Sequence, residues 1–256
     1  MALVVEDLRT YYFQTDKVTP AVDGVSFAVS PEKTVCLVGE SGCGKSAVAL
    51  SLLGLIEPPG KIVAGRVSLD GRNLLTLPPE ELRLLRGQDI AIIFQNSCYS
   101  LNPSLTIGIQ LAETVLSHRE VSRSTAREMA VDVLRRVRLP DPAKLYDRYP
   151  FELSGGMQQR AMIAMALLLK PRYLIADEPT SALDITTQTH ILDELMELKE
   201  QYGAGMLFIT HDLAVVAEIA DEVAVMRQGK IVEYGSVFEV FQNPAHPYTR
   251  QLLQAV

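Results

Sequence analysis

Gly39-Glu40-Ser41-Gly42-Cys43-Gly44-Lys45-Ser46 carries glycines, a lysine and a hydroxyl at the spacing GxxxxGK[ST], the pattern of a phosphate-binding loop. Its flanks agree with that reading. Thr34-Val35-Cys36-Leu37-Val38 has the apolar run of a short buried strand, and Ala47 to Ile56 reads as a helix buried on most faces. Glycine lets the backbone curl so that successive N–H groups face phosphate oxygens, and the helix start adds the positive end of its dipole. Lys45 supplies a full charge for the β and γ phosphates of a nucleotide, and the Ser46 hydroxyl suits a Mg²⁺ ion bridging them. Cys43 needs only to be compact in such a loop, and Cys36 reads as a strand filler.

A nucleotide-splitting site needs carboxylates as well. Tyr173-Leu174-Ile175-Ala176-Asp177-Glu178 is an apolar strand ending in two acids. Asp177, first off the strand, is placed for the Mg²⁺ shell, and Glu178 is placed to orient or deprotonate the attacking water.

Outward from these two sites the pattern is α/β. Leu3 to Phe13 and Ala21 to Val29 read as antiparallel strands, Val63 to Leu69 as another, and Asp70-Gly71 as a hairpin turn. Between about Ile107 and Tyr149 strand character disappears. Two helical stretches there carry Arg119, Arg123, Arg127, Arg135, Arg136 and Arg138 against Glu120, Glu128 and Asp132, which reads as a solvated face of an inserted helical subdomain. After Pro150 come helix 155–169, strand 172–177, helix 186–201, strand 206–210 and a helix from about 212, giving a mostly parallel core sheet.

Bulk composition excludes several classes. The 256 residues hold 24 basic and 31 acidic side chains, net -7, so no bulk positive field draws nucleic acid. The start, Met1-Ala2-Leu3-Val4-Val5-Glu6-Asp7, lacks the shape of a secretory signal. The apolar run Ala161 to Leu169 stops at Lys170, short of the roughly 18 residues needed to cross a bilayer. Cys36, Cys43 and Cys98 are too few and too irregular for a disulfide framework or a four-cysteine zinc site, as expected in a reducing cytosol.

Leu153-Ser154-Gly155-Gly156-Met157-Gln158 narrows the class, because it resembles the signature of ATP-binding cassette (ABC) proteins. As chemistry it is a second anion site: Ser154 caps a helix whose first N–H groups, at Gly155 and Gly156, aim at a phosphate. The other family elements follow in order. Tyr12 matches the ring that stacks on adenine, with Tyr11 the one-off alternative. Gln95 resembles the Q-loop glutamine near Mg²⁺ or water, Ser181-Ala182-Leu183-Asp184 the D-loop, and His211 the switch histidine beside the γ-phosphate. The resemblance implies nucleotide binding through Tyr12 and Gly39 to Ser46, catalysis through Glu178, His211 and Gln95, metal contacts from Ser46, Gln95 and Asp177, and ATP with Mg²⁺ as cofactors.

Asn243-Pro244-Ala245-His246-Pro247-Tyr248-Thr249-Arg250 and Ser100-Leu101-Asn102-Pro103 resemble the ATPases of peptide and nickel importers, and the signature and Asp177-Glu178 surroundings resemble the D-type member of their two unlike subunits. Two departures stand out: Ser97 and Cys98 replace the more usual Asp-Pro after the Q-loop, and no cysteine follows Cys98 for the iron–sulfur extension common in peptide-type members. The expected fold is therefore α/β, a P-loop NTPase of the ABC type, with an antiparallel β subdomain and an inserted helical subdomain. The expected layout is one cassette over 1–256: core and β subdomain in 1–95 and 150–235, helical subdomain with Q-loop and signature in 96–170, and a short helical tail in 236–256. The expected function is ATP hydrolysis powering import of peptides, nickel or a metal chelate, with a soluble non-transport ABC ATPase as the alternative. Expected partners are a second, non-identical ATPase subunit, two permeases and, through them, an extracytoplasmic binding protein, without nucleic acid. The expected location is the cytoplasmic face of the membrane.

Overall fold

The computed structural model describes residues 2–95, 100–181 and 184–254, with only the backbone at Ile185 and Thr186. Ser97 and Cys98, and Ala182 and Leu183 of the D-loop string, lie outside the described residues. The elements in chain order are β1 (Leu3–Gln14), β2 (Lys17–Val29), β3 (Thr34–Val38), α1 (Lys45–Leu52), β4 (Gly60–Leu69), β5 (Arg72–Asn73), α2 (Pro79–Leu85), β6 (Ile90–Ile93), α3 (Ile107–Leu116), α4 (Arg123–Arg136), α5 (Pro142–Leu145), α6 (Gly155–Leu167), β7 (Tyr173–Asp177), α7 (Ile185–Tyr202), β8 (Gly205–Thr210), α8 (Leu213–Ile219), β9 (Glu222–Arg227), β10 (Lys230–Ser236), α9 (Val237–Gln242) and α10 (Pro247–Gln254). Two compact units form, one from Met1–Arg83 with Gly205–Val256 and the other from Leu84–Ala204.

In the first unit β2, β1, β4 and β5 make an antiparallel sheet in that order. Leu3 sits opposite both Val29 and Leu69, and Leu3, Val5, Leu8 and Thr10 are buried, with register shifts between Val5 and Leu8. The turn at Asp70-Gly71 has the left-handed φ values 52° and 81° that a tight hairpin demands, as the Asp-Gly pair foretells. Strands β10, β9, β3 and β8 run side by side, β3 being parallel to both neighbours, with Cys36 between Phe208 and Val223. All five β3 residues are buried, which is why Val35 to Val38 form an unbroken apolar run after Thr34.

Helix α1 is shorter than its sequence promises. It ends at Leu52 because Gly54 turns left-handed at φ 61° and Leu55 N–H donates to the Leu50 carbonyl, so residues up to Ile56 form the exit turn. The β9–β10 hairpin has no counterpart in the sequence pattern. From Leu213 to Met226 the apolar residues are interrupted by Glu218 and by the pair Asp221-Glu222, and Asp221, whose carboxylate accepts from Thr34 N–H at 2.8 Å, lies at the change from helix to strand.

In the second unit β6 and β7 are parallel, pairing Ile90 with Tyr173 through Ile93 with Ala176. Thr106 caps α3 and Ser122 caps α4, each side chain accepting a backbone N–H three residues on. Ala126, Ala130, Val133, Leu134 and Val137 form the buried stripe of α4 and its exit, while its arginines turn outward: Arg136 pairs with Asp132 at 2.8 Å and Arg127 with Asp147 at 3.3 Å. On α7, Ile191, Leu195 and Leu198 are buried while Asp193, Glu197 and Glu200 stay exposed, as the period requires. Among the described residues no helix is long and apolar enough to cross a membrane.

Candidate nucleotide-binding site

The phosphate-loop string lies between the end of β3 and α1, where the pattern needs it. Two of its glycines are fixed by space. Gly39 at φ 154° would place a Cβ 2.2 Å from the Met226 carbonyl oxygen, and Gly44 at φ 112° would place one 2.0 Å from that of Ala21. Gly42 at φ 80° has nothing within 4 Å of such a Cβ, so backbone conformation alone selects glycine there. Cys43 N–H donates to the Glu40 carbonyl at 3.2 Å, and Gly229 N–H to the Cys43 carbonyl at 2.9 Å. Glu40, Ser41, Gly42 and Ser46 face outward.

Lys45 is 5 % exposed, a burial that a lysine tolerates only when its ammonium is hydrogen-bonded. Its Nζ donates to the Gly39 carbonyl at 2.7 Å and the Glu40 carbonyl at 3.0 Å. Burial pushes the Cys43 thiol above its ordinary value, against the pull of the nearby Lys45 ammonium. That fits the filler role and not a reactive thiol. Tyr11 Oη donates to Asp23 Oδ1 at 2.9 Å, an oxygen that also receives Arg9 at 2.7 Å. Tyr12 packs beside Gly60, where a Cβ would lie 2.7 Å from Tyr12 Cε1. His211 is exposed just past β8, and Asp212 caps α8 by accepting the Ala214 and Val215 N–H groups.

In the second unit Asp177 ends β7 at 6 % exposure, and Glu178 follows at φ 45°, a left-handed conformation rare for a glutamate. Gln95 Nε2 donates to Glu178 Oε2 at 2.9 Å, so the structure brings these two expected site residues together. Ser181 N–H and Oγ both donate to the Glu178 carbonyl, at 3.3 and 3.2 Å, which fixes the turn after the strand.

The signature string opens α6. Ser154 Oγ accepts the Met157 N–H at 3.4 Å, and Gln158 Nε2 donates to the Pro150 and Leu153 carbonyls at 2.9 and 3.2 Å. Ser154 and Gly155 are exposed at the edge of an open pocket of about 570 Å³ shared with Gly156, Arg160, Asp184 and Thr187. The last residue of the D-loop string thus lines the same pocket as the signature.

Three contacts escaped the sequence. Gln159, just past the signature and buried, donates to the Pro179 carbonyl beyond β7. Glu194 is 5 % exposed on α7 and pairs with Arg160 at 3.1 Å; burial raises its carboxyl above the ordinary range while Arg160 and Arg138 pull it down. Tyr248 in the tail receives the Glu40 N–H at 3.2 Å. Only the first had a signal, as a glutamine adjoining the signature; the others rest on long-range folding.

Residues 22–181 match the sequence profile of the ABC transporter family. A "Probable peptide ABC transporter ATP-binding protein y4tR" from Sinorhizobium fredii is 50% identical over 100% of this chain and 77% of its own length. The "Dipeptide transport ATP-binding protein DppD" of Escherichia coli K12 is 45% identical over 100% of this chain and 79% of its own. A dimeric ATP-binding cassette, MJ0796 in a post-hydrolysis state bound to ADP and Pi, superposes with a TM-score of 0.81 at 27% identity, covering 93% of this chain and 99% of its own. The α/β cassette fold and ATP-hydrolysing character expected from the sequence therefore hold, with ATP and Mg²⁺ as the cofactors, and the chain belongs to the ABC transporter family as one of its ATPases.

Proposed function

We propose that this chain is the ATPase subunit of a peptide importer, docked on the cytoplasmic face of the membrane against two permeases and paired with a second, non-identical ATPase. The cargo reading is supported by the peptide and dipeptide names of relatives aligned along the whole chain. One observation carries the mechanistic reading: a buried Lys45 held inside a glycine loop, in a chain that also exposes a separate, lysine-free helix start at Ser154. Lys45 and the loop N–H groups hold the β and γ phosphates, and Tyr12 carries the adenine. Ser154 and the N–H groups after it serve the γ-phosphate of a nucleotide held by the partner ATPase. Asp184 and Ser181 border that contact.

Ser46, Asp177 and Gln95 offer a hydroxyl, a carboxylate and an amide, all hard oxygen donors of the kind Mg²⁺ takes. When bound, that ion neutralises phosphate charge. Glu178, held by Gln95, orients and deprotonates the attacking water, and His211 steadies the γ-phosphate. Loss of the γ-phosphate removes the contacts that join the two cassettes, and the Gln95 region passes the opening to the permeases.

The test is ATP hydrolysis by the transporter in proteoliposomes with its binding protein. Di- or oligopeptide should stimulate hydrolysis, and Glu178→Gln should lower turnover by about 10²-fold or more while ATP still binds. Stimulation by nickel chelates and not by peptide would overturn the cargo, and unchanged turnover in Glu178→Gln the catalytic assignment.

A further inference from the structure

The C-terminal string Asn243 to Arg250 is more than a resemblance, because it is built onto the phosphate loop. Tyr248 on α10 is 2 % exposed, and its Oη accepts the Glu40 N–H at 3.2 Å. Arg227, at the end of β9, lies over its ring at 4.6 Å. The segment before it is stapled from three sides. The Glu233 carboxylate accepts the N–H groups of Ala245 at 2.7 Å and His246 at 3.0 Å, His246 Nδ1 accepts the Tyr248 N–H at 3.1 Å, and Arg250 Nε donates to the Pro244 carbonyl at 2.9 Å.

The N–H that Tyr248 receives belongs to the peptide unit between Gly39 and Glu40. The carbonyl of that same unit, Gly39 O, receives Lys45 Nζ at 2.7 Å. A trans peptide is planar, with N–H and C=O on opposite edges, so fixing one edge fixes the direction of the other. The phenol oxygen and the lysine ammonium are thus linked through one rigid plane.

We propose that Tyr248 is a positioning residue for ATP binding: its hydroxyl fixes the Gly39–Glu40 peptide, that peptide fixes the Lys45 ammonium, and the docked tail thereby tunes the affinity of the phosphate loop. The inference rests on reading Gly39 to Ser46 as the ATP site. Without the phenol oxygen the peptide is free to turn, Lys45 loses a fixed acceptor, and the ordering of the loop falls to the arriving nucleotide.

The test titrates this chain with a fluorescent ATP analogue and Mg²⁺, and measures KM and kcat for ATP in the assembled transporter. Tyr248→Phe keeps the ring under Arg227 and removes one acceptor. It should raise both the dissociation constant and KM about fivefold, as for one hydrogen bond, with kcat within about twofold. Glu233→Gln replaces a tail acceptor with a donor and should move affinity the same way by less. An unchanged dissociation constant and KM in Tyr248→Phe, or a fall in kcat alone, would overturn the inference; if Tyr248→Phe does not fold, unchanged affinity in folded Glu233→Gln does so. Lys45→Ala separates the two layers. Wild-type affinity in Lys45→Ala overturns the phosphate reading itself, whereas lost affinity there beside a wild-type Tyr248→Phe overturns only the role of the tail.

Discussion

Two helices of this chain begin at glycine-rich turns, and they begin differently. Helix α1 has Gly44 before it at φ 112° with no side-chain cap, and its first residue, Lys45, is buried with its ammonium on two loop carbonyls. Helix α6 has a serine cap, Ser154 and Gly155 exposed at its start, and an open pocket. Arg160, which lines that pocket, pairs with the buried Glu194 at 3.1 Å. The first start holds its own cation and is closed by backbone packing. The second offers N–H donors and a dipole, and among the described residues lining its pocket the charged ones are Arg160, paired with Glu194, and Asp184, so no lysine stands there as Lys45 does in the first.

That contrast makes predictions of decreasing size. Lys45→Ala should weaken ATP binding by about 10²-fold or more, because on the proposed reading the buried Lys45 ammonium is the one positive charge that residues 39–46 bring to the phosphates. Ser154→Arg should separate the two starts. Hydrolysis in the assembled transporter should fall by about 10²-fold, as when a preorganised donor site is lost. ATP binding by the isolated chain should stay within about twofold. Parallel loss of both would erase the distinction.

Within the closed start, Gly44→Ala should cost at least about 3 kcal/mol, from left-handed strain plus a backbone clash, and Gly42→Ala about 1 kcal/mol from strain alone. Urea denaturation of the two variants measures the gap, and equal costs would contradict the packing given for Gly44. The smallest effect is on Cys43. Its pKa is raised, so the thiolate is scarce below the ordinary thiol range, and alkylation should be slow at pH 7 and climb only in more alkaline buffer. Rapid labelling of the Cys43 peptide at pH 7, followed by mass spectrometry, would contradict that environment.

Local patterns made much of this legible. The phosphate loop, the β7 carboxylates and the signature are contiguous strings whose chemistry depends on neighbours in the chain, and β3, β7 and the α7 stripe announce themselves by period. What was hidden depends on distance along the chain. Helix α1 ends where Gly54 takes φ 61°, and an isolated glycine does not announce its conformation. Helix α8 and β9 are both mostly apolar, and the Asp221-Glu222 pair between them does not by itself tell a helix end from a strand start. Glu194 reads as one more wet acid on α7 until Arg160, from α6, arrives beside it. Tyr248 is 208 positions from the loop it touches, and no spacing rule reaches that far.

The central claim is that the nucleotide is clasped between the Lys45 loop of one ATPase and the Ser154 turn of another. Ser154→Cys in this chain, paired with a cysteine in the phosphate loop of the partner ATPase, tests it in the assembled transporter carrying Glu178→Gln. A short thiol crosslinker should join the two polypeptides only when ATP and Mg²⁺ are present. A crosslink that ignores nucleotide, or none at saturating ATP, would contradict the account.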